Sequence, residues 1–320
     1  MTAGAPAITP ARDAVASAAE ADVFPWIHRL SVLTLAATFF LIALGGIVTS
    51  LDVGMSVPDW PTTFGYSMFG YPVDKMLESM GVFYEHSHRL AGATVGILAI
   101  LLTLSTWLTR NVPRLWRRIA LAALVLVTLQ GVLGGLRVLE NDRAIAVFHA
   151  LGAQIVLCTV AVLATISSPR WAAEKVPASS PDTGRLRALA LLTLAVLFAH
   201  LWAGAGVRQH QARLAGHLWL AGAVTLLILA LVHHILTHFR EQEAFRRHAL
   251  RLATLLGIQL GLGLGTWACK FGPLSESTLV EIPAVLATAH LFVGAAITAT
   301  TVVLALRARF KAALPGEAAA

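Results

Sequence analysis

The chain has 320 residues, 57% hydrophobic and 13% charged, with a mean hydropathy of +0.73. So apolar a composition excludes a soluble domain and fits a polytopic membrane protein. The net charge of +7 does not mark nucleic-acid binding, because the basic residues are spread as topology signals.

Residues 1–25 are Ala-rich and weakly acidic, with no basic stretch ahead of an apolar core, and read as a disordered cytoplasmic tail. A membrane span needs about 20 predominantly apolar residues. Eight such stretches follow, at roughly 29–50, 84–109, 115–137, 144–167, 187–207, 213–238, 249–269 and 283–306. They are long, contain Gly and Ala and lack strict alternation, which predicts helices and not barrel strands. With the N-terminus cytoplasmic, Lys75, Arg89, Arg137, Arg143, Arg208, Arg213 and Lys270 fall outside and the other 17 of the 24 Lys and Arg inside. That bias puts both termini in the cytoplasm. The polar stretch 168–186, SPRWAAEKVPASSPDTGRL, reads as a cytoplasmic linker between a first half, 26–167, and a second, 187–309, with 310–320 as a second tail. Cys158 lies mid-span and Cys269 at the outer end of the seventh span, too far apart in depth for a disulfide.

The two halves are related. HRLAGATVGILAILL (88–102) aligns with HLWLAGAVTLLILAL (217–231), and TLQGVLGGL (128–136) with LGIQLGLGLGT (256–266). Gln130 follows His88 by 42 residues, and Gln259 follows His217 by the same 42. The next span of each half carries one more histidine, in AVFHALGAQ (146–154) and LATAHLFVG (286–294). The predicted fold is therefore all-α, with eight transmembrane helices as two tandem, pseudo-symmetric four-helix bundles. His88, His149, His217 and His290 each sit near the outer start of an even-numbered span, at one shared depth. Paired across a bundle, two imidazoles can grip a planar metal macrocycle from both faces, which reads as two bis-histidine haem sites. The plainer reading is that they are polar residues bonding between helices. His86 has no repeat partner, faces away from His88 and reads as a capping or surface residue. His200, aligned with Phe40, reads as core filler or as a hydrogen-bonding neighbour of the second haem. His28, His233, His234, His238 and His248, at inner helix ends, read as solvated or headgroup-facing.

The halves differ outside the repeat. Glu85 precedes His88 by three residues, on the same helical face, where the second half has Leu214. The first half has a long outer loop, 51–83, with SVPDWPTTFGYSMFGYP; the second has only GVRQHQAR, 206–213. A carboxylate beside a haem under a lid suits chemistry, whereas an apolar bis-histidine haem suits electron transfer. Glu85 also has a plain reading as the i,i+4 surface partner of Arg89, a pair contributing about 0.5 kcal/mol or less. Asp59 and Trp60, stiffened by Pro58 and Pro61, read as a lid, with an interfacial tryptophan as the alternative. Arg89, Arg137, Arg208 and Arg213 read either as contacts to haem propionates or as loop charges.

GGIVTS, SVPDWPTTFG, FYEHSHRLAG, LQGVLGGLRV, AVFHALGAQ, AGHLWLAG and ATAHLFVG together resemble the haem A synthase family, over about residues 28–306. The resemblance implies an eight-helix enzyme of the bacterial cytoplasmic membrane that oxidises the C8 methyl of haem O to a formyl group, giving haem A for terminal oxidases. It implies Glu85 as the catalytic residue, His88 and His149 as axial ligands of the substrate haem, and His217 and His290 as ligands of a haem b cofactor. The partners it implies are haem O, the lipid bilayer, a haem O synthase and an electron acceptor. Two other readings fit the same histidines: a di-haem b-type electron carrier, and a haem transport or assembly factor. Many family members carry cysteine pairs in their outer loops; this chain has none there.

Overall fold

A computed structural model describes residues 24–173, 181–276 and 279–310. Eight helices in it are long and apolar enough to cross a membrane: α1 Pro25–Ser50, α2 Met80–Leu108, α3 Arg114–Glu140, α4 Arg143–Ile166, α5 Pro181–Arg208, α6 Leu214–His238, α7 Glu243–Lys270 and α8 Glu281–Phe310. Among the described residues there is no β-strand beyond one isolated bridge, Thr63 to Tyr66. The chain is an all-α polytopic membrane protein.

α1 packs against α2 and α4, and α3 against α2 and α4; α5 packs against α6 and α8, and α7 against α6 and α8. Between these groups, α8 touches α1 and α4, and α4 touches α5. α1 buries the stripe Ile27, Ser31, Thr34, Thr38, Ile42 and Gly46, and α8 buries Ala284, Ala287, Thr288, Ala295, Thr298, Thr301 and Ala305. Small residues at helical spacing let backbones approach closely where lipid offers no hydrophobic drive between helices. The hydroxyls are satisfied internally: Ser31, Thr34 and Thr38 donate to the carbonyls of Ile27, Leu30 and Thr34. Large apolar side chains such as Leu226 and Val285 point outward instead, which suits lipid-facing surface.

Local signals set the helix ends. α3 ends on Asn141 in the left-handed region at φ 49°, and Asp142 caps α4 by accepting from Ala144 N at 2.6 Å. This two-residue turn holds α3 and α4 antiparallel and close. α5 begins at Pro181, inside the stretch read as linker, because Pro at the start and Asp182 in the first turn favour helix there. Residues 169–173 of that stretch form a short helix with Trp171 buried; 174–180 lie outside the described residues, as do nearly all of the first expected tail (1–23) and 311–320 of the second. Both cysteines are free. α2 starts eight residues before His88, whereas α6 starts three before His217. The longer lead-in on α2 is where the outer loop docks.

Candidate functional site: two histidine pairs, one under a lid

The four repeat histidines come together as two pairs. The ring centres of His88 and His149 lie 6.5 Å apart at 82°, and those of His217 and His290 lie 6.2 Å apart at 72°. With metal–nitrogen bonds of about 2.0–2.1 Å and ring centres about 1.1 Å further out, two imidazoles holding one metal from opposite sides sit about 6.3 Å apart. Both pairs fit that distance. Among the described residues no group of three or more His, Cys, Asp or Glu gathers around a common point. Each pair therefore offers two axial donors and leaves the equatorial positions to a macrocycle, which fits haem and does not fit a bare metal ion.

Each imidazole rests in the same kind of socket on the preceding odd-numbered helix. A Cβ placed on Gly45, Gly134, Gly204 or Gly263 would lie 2.9, 3.3, 3.0 or 3.0 Å from Cε1 of His88, His149, His217 or His290. Glycine lets the ring approach without crowding; a larger residue would press on it, most of all at Gly45. Four residues before each glycine stands the residue whose carbonyl faces the ring: Leu41, Gln130, His200 and Gln259. His290 Nδ1 closes this bond at 3.1 Å to Gln259 O. The other three are weaker and leave Nδ1 of His88, His149 and His217 with no full hydrogen bond. A carbonyl on one ring nitrogen fixes the tautomer and presents the other nitrogen to a metal. In the described structure Gln259 Nε2 lies 3.2 Å from His290 Nε2, and Gln259 Oε1 is buried without a partner. Ligation at Nε2 would take over that position and release the amide.

The glycines carry no side chain for a periodicity search to weigh, so the sockets go unread from the sequence. Their one visible trace is that Gly134 and Gly263 each follow a repeat glutamine by four residues.

Over the first pair lies the loop between α1 and α2, and α2 holds it. Glu85 is 4% exposed; its Oε1 accepts from Arg89 Nη2 at 2.7 Å and its Oε2 from Val57 N at 2.9 Å. Arg89 also donates to the carbonyls of Asp59 at 2.6 Å, Thr62 at 2.9 Å and Val57 at 2.8 Å. The surface ion pair read from the i,i+4 spacing is thus a buried clamp on the loop, with both side chains under a tenth exposed. Removing one partner of such a pair strands a buried charge at a cost of about 3–5 kcal/mol. His86 is corrected in the same way. It is buried, not at the surface, with Nδ1 3.1 Å from Thr63 Oγ1 and its ring 5.2 Å from that of Tyr71. The loop covers the face that the helix alone would have exposed.

Within the loop, Asp59 accepts from Thr62 Oγ1 at 2.5 Å, Phe64 N at 2.8 Å and Gly65 N at 2.9 Å. Burial alone would raise its carboxyl, but these bonds outweigh burial and hold it below the ordinary value. Trp60 lays its indole directly on the backbone of Gly135, the neighbour of the His149 socket glycine; any Cβ there would overlap the ring. Arg137 donates to Gly54 O at 3.2 Å and contacts Met55 Sδ.

Among the described residues, no comparable clamp lies over the second pair. Leu214 is the first residue of α6, where Glu85 stands six residues into α2, and Leu264 stands where α3 has Gly135. Arg208 donates to Gly46 O at 2.7 Å and Ser50 Oγ at 2.6 Å, tying α5 to α1; Arg213 is exposed at the turn before α6. Of the four arginines read toward propionates, three are thus engaged by protein acceptors. His200 is not filler. The socket register sets it opposite Leu41, one residue on from Phe40, which faces outward at 60% exposure. Its ring stacks on His217, centres 4.2 Å apart at 13°. Of the inner-end histidines, His234 and His248 are buried, bonding the carbonyls of Asp182 and Ala244 at 3.0 and 2.7 Å.

Fold and site together define a membrane protein with eight candidate spans that brings four histidines together as two pairs, one of them beneath a clamped loop. A sequence profile described as cytochrome oxidase assembly protein, COX15-CtaA, matches residues 28–220. That is more than half of the chain, and the chain belongs to this family. It is similar to proteins named heme A synthase: 25% identical over 202 residues to one from Shewanella oneidensis, covering 59% of this chain and 58% of that one. A second, from Alkalihalophilus pseudofirmus, is 27% identical over 187 residues, covering 58% and 60%. A third, from Shouchella clausii, is 30% identical over 141 residues, covering 42% and 44%. The matches thus span between two-fifths and three-fifths of these relatives' length.

Proposed function

We propose that the chain is a haem A synthase of the bacterial cytoplasmic membrane, oxidising the C8 methyl of haem O to a formyl group. The two halves act as two four-helix bundles with both termini cytoplasmic, the first (26–167) binding substrate and the second (187–309) binding haem b. The observation that carries this reading is a pair of equivalent bis-imidazole grips of which only one has a lid and a buried carboxylate. His88 and His149 would hold haem O; His217 and His290 would hold haem b, which supplies one-electron relay when bound. Arg89 and Val57 N orient Glu85, leaving unshared lone pairs on both carboxylate oxygens to accept a proton or to stabilise positive charge at the methyl carbon. Trp60 and the loop exclude water from that edge. Arg213, free of lid contacts, is our choice for a propionate contact. A haem O synthase would supply the substrate.

The test is co-expression with a haem O-producing enzyme, followed by chromatography of haems extracted from membranes and from the purified protein. Haem A in the membranes, absent without this chain, is the expected result. Haem b alone in the protein and no haem A would favour an electron carrier, and bound haem O that never converts would favour a transporter.

A further inference from the structure

The two grips share their socket geometry but not the residue that supplies the socket carbonyl next to the first ligand of each pair. In the first half this is Leu41, in the second His200. His200 is the socket residue whose side chain stacks on the imidazole it seats: its ring is parallel to that of His217 within 13°, with centres 4.2 Å apart. Its Nδ1 is buried and has no hydrogen-bond partner. An unpaired polar atom inside a membrane protein costs free energy that leucine would avoid, and the equivalent position shows that leucine fits this socket.

We infer that His200 is a positioning residue of the second site, fixing the plane of the His217 imidazole by stacking so that this grip holds one ligand geometry through repeated electron transfer. The inference rests on the proposal that His217 and His290 hold a haem. The imidazole of His217 is anchored along its Cβ bond by the helix and has only a weak bond to the His200 carbonyl, so rotation about χ2 is its soft motion. A parallel ring at stacking distance removes that freedom. The angle between the two axial imidazole planes sets the ligand field of a bis-histidine iron and tunes its potential, so fixing one plane keeps both constant. His290 needs no such device, because its Nδ1 is held by Gln259 O at 3.1 Å. In the first site the His88 ring faces Leu41, which offers no parallel ring; a grip that must take up and release substrate gains from a ligand free to turn.

The test uses the full-length protein purified with its haems and reads low-temperature paramagnetic resonance, a potentiometric titration and extracted haem per protein. The signal missing from His217→Ala protein belongs to the second site. With ring planes near 72°, that signal should be strongly anisotropic and narrow. His200→Leu, which installs the residue of the first half, should keep haem stoichiometry while broadening this signal and shifting its potential. His200→Phe, which keeps a ring to stack, should restore both. If His200→Leu leaves line shape and potential unchanged, the inference is wrong. It is equally wrong if His200→Phe behaves like His200→Leu. Should His200→Leu lose the haem, retention in His200→Phe supports the stack and loss in both overturns it. A wild-type protein with no His217-dependent signal would instead defeat the second haem site on which the inference stands.

Discussion

The two histidine pairs use the same parts to different ends. Both place an imidazole from each of two even-numbered helices about 6 Å apart, seat each ring on a glycine, and face it with a carbonyl four residues earlier. What differs is everything added around that grip. The first has an extended α2, Glu85 and Arg89, a loop clamped by four hydrogen bonds, and Gly135 to receive Trp60. The second has Leu214, Leu264, a short turn and a stacked His200. The lesson is that the pairing of the imidazoles lies in the shared socket, whereas what distinguishes the two sites lies in the cover and in the neighbour of the paired ring.

The largest effect should come from deleting a ligand. His149→Ala is expected to lose the haem of the first site completely and keep the second, and His290→Ala the reverse, as read by haem stoichiometry in purified protein. Loss of both haems from either variant would break the independence of the two grips. Next, Glu85→Ala should lower haem A formation by about 10²–10⁴, the usual contribution of a positioned acid–base group, while bound haem is retained. Haem A made at the wild-type rate would remove Glu85 from the chemistry and leave it as a clamp alone. A smaller effect is expected from Gly135→Leu, which gives α3 the residue of α7. The indole of Trp60 must leave, and tryptic cleavage at Lys75 in the loop should speed up on the order of tenfold through easier local opening, with the second haem untouched. The smallest concerns Asp59. Its carboxyl is depressed in the folded loop, so its contribution is present above the ordinary value of 3.8 and lost as pH falls through the lower folded value. Loop protection against an acid protease should decline over that range in the wild type and be lower and flat in Asp59→Asn.

Much of this was open to a reading of the sequence, for physical reasons. Hydrophobic length dictates spans, so the helices lie within a few residues of expectation except α5 and α7, which start six residues early, at Pro181 and Glu243, in polar stretches. The four paired histidines were legible because a repeat filters twelve histidines by position. His86 was not, since its role depends on a loop folding back over α2 to bring Thr63 and Tyr71 to it. The clamp was half legible: i,i+4 spacing joins Glu85 to Arg89, but nothing local says that three carbonyls of a distant loop complete it. His200 was misplaced by one residue because the first and fifth spans share no side-chain landmark; the glycine seats that set their register show only in three dimensions.

Glu85, His88 and Arg89 lie on little more than one turn of α2, about 6 Å of helix rise. The anchor of the loop and the seat of His88 therefore share a single hinge pin. Withdrawing the loop strips four hydrogen bonds from the turn that carries the ligand; closing it restores them and stiffens that turn. A molecule gripped at His88 would be held less firmly with the loop withdrawn than with it in place.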